Sequence, residues 1–189
     1  MIVYVYNFLI TEDDMKLETG YVYHIKNDFF TFANDNKLMT NHEGTATRPN
    51  YFCIKREYSN LLWFIPMSSK VCKFKKIIEK KVQNTGRCDT IVIGNYRNRD
   101  TAFLLQNMFP ITEKYIDHID TANCIALKVA KKTRKEIITR VNRVFKLKEC
   151  GIKVIFPDVD RIAKKITLDV DLEILLLFFL IDSNHSPKT

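Results

Sequence analysis

In the segment WFIPMSSKVCK, residues 63–73, an apolar run gives way to two hydroxyls and an ammonium, Ser68, Ser69 and Lys70, just where a helical pattern begins. The first N–H groups of a helix have no partner within it, and together with the helix dipole they favour an anion. The trio therefore reads as a phosphate pocket, and Lys73 and Lys76 extend its positive edge along the helix. A second reading stands beside it, in which Ser68 or Ser69 caps the helix and Lys70 is solvated.

His24 is the other residue whose setting invites chemistry. It follows Tyr21 and Tyr23 in a strand-like run, and Lys26 shares its face if the strand is regular. By itself it reads as a surface or hydrogen-bonded histidine; beside a lysine-rich anion pocket it becomes a candidate general base or acid for a ribose 2′-hydroxyl. The carboxylate pairs Asp13/Asp14 and Asp158/Asp160 have the composition of a magnesium site or an acid–base pair, but short matches of this kind are weak, and they are read as solvated or capping acids.

Other chemistries lack their motifs. The sequence has no GxGxxG, GxxxxGK, GxSxG or HExxH pattern, which removes the motif-bearing nucleotide, esterase and zinc-protease readings. Cysteines at 53, 72, 88, 124 and 150 form no close pair, and histidines at 24, 42, 118 and 185 are scattered. No metal and no cofactor are expected, and reduced thiols fit a cytoplasmic protein.

The elements that must position these groups follow from pattern. Val71, Phe74, Ile78 and Val82 recur at helical spacing, as do Ile137, Val141, Val144 and Phe145, with Gly86 and Gly151 as terminators. Strands are expected at 20–26, 51–57, 61–66, 89–94, 101–106 and 153–156, the second and third forming a hairpin across Tyr-Ser-Asn. Residues 34–50 are polar without periodicity and read as an exposed loop.

The 189 residues carry 30 Lys and Arg against 22 Asp and Glu, a net charge of +8, with the basic side chains concentrated in the two helices and both ends acidic. A basic surface with interleaved aromatics suits RNA, because Lys and Arg release condensed counterions while aromatic rings stack on unpaired bases. The apolar leader MIVYVYNFLI reads as a strand or an appended segment. The run 174–181 is far shorter than the roughly 20 residues that span a bilayer, so it reads as a packed helix or a sticky tail, with no membrane partner.

Five blocks in this order, GYVYHIKNDFF (20–30), RPNYF (48–52), LLWFIPMSSKVCKFKKII (61–78), GRCDTIVIG (86–94) and LLQNMFPITEKYI (104–116), resemble the ToxN/AbiQ group of type III toxin–antitoxin endoribonucleases, most closely its CptN-like members. The resemblance covers about residues 20–166 and implies an α+β fold: a compact, mainly antiparallel β-sheet core with surrounding helices, distantly similar to the MazF/Kid toxins. It implies metal-independent cleavage in which the 2′-hydroxyl attacks the adjacent phosphate, leaving a 2′,3′-cyclic phosphate and a 5′-hydroxyl. It also implies an RNA antitoxin of small pseudoknotted repeats that binds the toxin in a closed protein–RNA assembly.

Carried onto this chain, the family's Ser/Thr-Ser plus Lys element matches Ser68, Ser69 and Lys70: the lysine would neutralise charge developing on the phosphate, and the hydroxyls would orient it. Phe29 stands where some members have a tyrosine, which leaves the proton-moving role to His24 or unfilled. Lys26, Arg48, Lys73, Lys76 and Thr112 are the candidate RNA contacts. Under this reading residues 1–19 form an N-terminal extension, 20–167 the ribonuclease domain and 168–189 a variant C-terminal tail. A non-catalytic basic RNA-binding module is the alternative.

Overall fold

The structure is a computed structural model and describes residues 17–43, 46–55 and 60–184. Its strands are β1 (Val22–Ile25), β2 (His42–Glu43), β3 (Ala46–Thr47), β4 (Asn50–Lys55), β5 (Leu62–Ser68), β6 (Ile91–Tyr96), β7 (Arg99–Leu104), β8 (Phe109–Ile111), β9 (Ile116–Ile119), β10 (Thr121–Ala122) and β11 (Ile125–Ala126). Its helices are α1 (Asn27–Ala33), α2 (Val71–Thr85), α3 (Lys131–Glu149) and α4 (Val159–Asn184). Seven strands form one sheet in the order β6-β7-β5-β4-β1-β9, with β8 also paired to β5, and every pairing is antiparallel. The α+β architecture with an antiparallel core is the one expected.

β5 is central and buried along its whole length, which is why its sequence is apolar from Leu62 through Met67 instead of alternating. On one face, Val22, Tyr51, Ile65, Met67 and Phe103 pack against Ile137, Val141, Val144 and Phe145 of α3. On the other, Tyr23, Ile25, Phe52, Phe64 and Phe109 meet Phe29 of α1 and Ile162 and Ile166 of α4. Each fully buried side chain of this size contributes about 1.5–3 kcal/mol from removal of apolar surface.

The two basic helices are packed differently. α3 buries the four residues expected of it and ends where Gly151 takes a left-handed conformation, φ 79°. Gly94 of β6 gives α3 its close approach, since a Cβ there would lie 2.2 Å from Thr133 Cγ2. α2 buries only Phe74 fully and leaves Val82 43% exposed, so its expected apolar stripe rests thinly on the sheet.

Three local expectations need correction. Residues 153–156 form no strand: the Phe156 N–H bonds to Gln106 O at 2.7 Å, and the Val154 N–H turns locally to Ile152 O at 2.9 Å. Residues 34–50 do not form an exposed loop throughout, because β2 and β3 pair within them and Asn41, Arg48 and Asn50 are buried. The polar side chains there bond inward, as when Asn41 Nδ2 donates to Ile25 O at 2.8 Å. The third concerns the serine caps and is described below. β4 and β5 pair as expected; residues 56–59 of their connection, like residues 1–16, lie outside the described residues.

α4 is capped by Asp158, whose Oδ1 accepts the Arg161 N–H at 3.1 Å. The helix continues without interruption past residue 167, so the expected start of the tail falls inside it. Leu168, Leu172, Leu175 and Leu176 are exposed on it. Among the described residues no helix is long and apolar enough to cross a membrane.

Candidate active site

Register brings the candidate residues together. Tyr23 of β1 stands opposite Asn50 of β4, which stands opposite Pro66 of β5. The ladder continues one step, with the Met67 N–H bonded to Pro49 O at 3.0 Å. With strands about 4.8 Å apart, the end of β1 carrying His24 and Lys26, the residues entering β4 at Arg48, and the end of β5 at Ser68–Lys70 lie side by side.

At the β5–α2 junction, Ser68 is the last strand residue and is buried. Its Oγ accepts the Lys70 N–H at 3.3 Å. Neither serine is the N-cap of α2: that position is Lys70, without a side-chain cap, because the strand runs two residues beyond Pro66 before the chain turns. Ser69 and Lys70 are exposed at the turn, and Lys73 and Lys76 are exposed on the helix that follows.

The other candidate contacts separate on inspection. Arg48 is buried, and its guanidinium donates to Thr40 O at 2.9 Å and Met67 O at 3.0 Å. It fixes the backbone immediately before Ser68. Lys26 is exposed and donates to Lys114 O at 3.0 Å. Thr112 follows Ile111, which pairs with Leu62 at the far end of β5 from Ser68. Six residues of strand place it on the order of 20 Å away along β5. Its hydroxyl is buried, with no partner among the described residues. Phe29 is fully buried and stacks on Phe109 at 5.1 Å, within the core.

His24 has both ring nitrogens engaged. Nδ1 lies 2.6 Å from Thr47 Oγ1, and Nε2 lies 3.3 Å from Asp120 Oδ1. The ring of His118, opposite it on β9, stacks on its face at 4.5 Å. Asp120 is placed by its own N–H, bonded to Val22 O at 2.8 Å, and receives Tyr96 Oη at 2.7 Å and Arg97 Nη2 at 3.0 Å. Burial by itself would raise the Asp120 pKa; the hydrogen bonds from His24, Tyr96 and Arg97 and the Arg97 charge outweigh it and hold the carboxyl at about 2. Burial, then the neighbouring carboxylate, push the Tyr96 phenol well above its usual range.

Thr47 and Asp120 carry no signal in the sequence that sets them apart. Asp120 is 96 residues from His24, and Thr47 lies in a polar stretch. Of the paired acids, Asp158 caps α4 and Asp160 receives Lys148 Nζ at 2.7 Å, while Asp13 and Asp14 lie outside the described residues. The charge of the basic helices is partly consumed within the fold. Arg140 binds Ile91 O at 3.0 Å and Glu136 at 2.6 Å, Arg143 binds Asp89 at 3.2 Å, and Lys81 binds Thr90 and Gln106.

No protein-family model and no curated protein matches the sequence. A solved structure nevertheless shares the fold. The structure matches that of AbiQ, described as a lactococcal anti-phage endoribonuclease belonging to the type-III toxin-antitoxin system, with a TM-score of 0.63. The match covers 82% of this chain and 99% of that one, at 13% sequence identity. This chain has the AbiQ fold. At that identity the likeness is one of fold alone.

Proposed function

We propose that the chain is an endoribonuclease and the toxin of a type III toxin–antitoxin system. The observation that carries this reading is the arrival of Ser68, Ser69 and Lys70 beside the end of β1 that holds His24, on an AbiQ-like fold. Lys70 places an exposed ammonium at the start of α2, where the helix dipole adds to its field. A phosphodiester seated there has its developing negative charge offset by Lys70, and the hydroxyls of Ser68 and Ser69 orient its non-bridging oxygens. The adjacent 2′-oxygen attacks phosphorus, the P–O5′ bond breaks, and the products carry a 2′,3′-cyclic phosphate and a 5′-hydroxyl. No metal is required by this chemistry.

Substrate RNA and an RNA antitoxin of small pseudoknotted repeats occupy the same surface, with Lys26, Lys73 and Lys76 contacting phosphates and a closed protein–RNA assembly silencing the enzyme. Anti-phage action in the cytoplasm is the setting this reading proposes. Arg48 serves by holding Met67, and Thr112 lies outside this surface along β5.

The test is cleavage of RNA by the purified chain in EDTA, with end analysis of the fragments. Cyclic phosphate and 5′-hydroxyl ends are expected, and Lys70→Ala should slow cleavage by about 10²–10³-fold while weakening RNA binding much less. Folded protein that binds RNA with steep salt dependence yet leaves it whole at high concentration would establish the non-catalytic module instead. Short tandem repeats immediately upstream of the coding region are the genomic companion the toxin reading expects.

A further inference from the structure

The surroundings of His24 leave no ring nitrogen open to a substrate. Asp120 stands at Nε2, Thr47 at Nδ1 and the His118 ring on one face, and the residue is only 9% exposed. A carboxylate accepts hydrogen bonds and donates none, so Asp120 assigns the proton of a neutral imidazole to Nε2 and leaves the Nδ1 lone pair facing the Thr47 hydroxyl. Hydroxyl, imidazole and carboxylate then stand in the order of a serine-hydrolase triad, with the two ring nitrogens exchanged. Thr47 is partly exposed and adjoins Arg48, whose guanidinium grips Met67 O next to Ser68.

Resting on the ribonuclease reading, we propose that Thr47 is the catalytic group through which His24 acts, a hydroxyl relay between the ribose 2′-hydroxyl and His24 Nδ1, with Asp120 as the positioning residue that fixes the tautomer. As the 2′-oxygen bonds to phosphorus, its proton passes to Thr47 Oγ1 while the Thr47 proton passes to His24 Nδ1. The electron pair of the breaking P–O5′ bond stays on the 5′-oxygen, which takes a proton from solvent, and the imidazolium then returns its own to solvent back through the Thr47 hydroxyl. Asp120 balances the imidazolium while it exists. The other charged or titratable groups bearing on the ring are His118, backed by Asp117, and Arg97 and Tyr96, which act through Asp120.

The experiment compares wild type, Thr47→Val, Thr47→Ser, Asp120→Asn and Lys70→Ala in single-turnover RNA cleavage, with thermal unfolding of each and ¹⁵N spectra of the His24 ring. Thr47→Val should lose about 10²-fold or more in kcat with KM within about twofold, and Thr47→Ser should recover most of the rate. Asp120→Asn turns an acceptor into a group that also donates. It should move the ring proton from Nε2 to Nδ1 and cost about 10²–10⁴-fold in kcat. A folded Thr47→Val that cleaves as wild type while Lys70→Ala does not overturns the relay and leaves the ribonuclease standing. A wild-type ring protonated at Nδ1 also overturns it, whatever the cleavage result. Wild type that leaves RNA intact overturns both readings together.

Discussion

The phenol of Tyr96 donates to Asp120 Oδ2 at 2.7 Å and joins the tip of the β6–β7 hairpin to the turn that follows β9. Those two elements belong to opposite ends of the sheet order, so this bond links its two edges. Tyr96→Phe keeps the buried ring and removes the donor. Because the acceptor is charged, a loss of about 1.5–3 kcal/mol is expected by urea unfolding. An unchanged midpoint would show that Arg97 and His24 satisfy Asp120 without it.

Acid should expose the same cluster. Asp120 has a folded pKa of about 2 against an ordinary aspartate value of 3.8, so its contribution is complete above the unfolded value and is lost as pH falls through the folded one. The difference corresponds to about 2 kcal/mol. Wild type should therefore lose its stability advantage over Asp120→Asn between about pH 5 and pH 2. A difference between the two proteins that is constant with pH would refute this account.

Gly94→Ala tests the seating of α3. The added Cβ would stand 2.2 Å from Thr133 Cγ2 and 2.6 Å from its Oγ1, forcing the helix from β6 at a cost of about 1–3 kcal/mol. Thr133→Ala deletes both of those atoms, so the double variant should recover most of the loss. Equal destabilisation of the single and double variants would place the strain elsewhere.

Lys114 Nζ binds Asp169 and, at 2.7 Å, Glu173, tying the turn before β9 to α4. Burial disfavours its charge, but the two carboxylates more than compensate and raise its pKa above the usual lysine range. These groups are partly exposed, so Lys114→Met should change global stability by no more than about 1 kcal/mol. Amide exchange across residues 167–176 should nevertheless quicken several-fold, as α4 loses its charged tether beyond Ile166. Unchanged exchange there would mean that apolar packing alone holds the helix.

Much of the frame is legible in the sequence because it is written in local periodicity. The helical spacing through Phe145 and the glycines at 86 and 151 correspond to α2 and α3 with their observed ends. Legibility fails where partners are distant. Residues 153–156 have strand-like composition but no neighbouring strand to pair with. β8 and β9 escape notice because each is short and acquires its ladder only from β5 and β1. The serines offered themselves as caps, yet β5 extends through Ser68, since its pairing with β7 at Ala102 outweighs the local capping preference.

Charge, apolar runs and turn chemistry are properties of neighbours along the chain, so a basic chain, an apolar central strand and the Ser-Ser-Lys group at its exit are all readable from residue order. How they are used depends on strand pairing. Antiparallel register turns sequence distance into strand spacings of about 5 Å, and so it brought Arg48 beside Ser68, put His24 one strand further out on β1, and set Thr112 at the other end of β5. It also buried Arg48 as a backbone clamp and enclosed His24 between Thr47 and Asp120. No spacing rule reaches such an arrangement, because it exists only once strands far apart in the chain share one sheet.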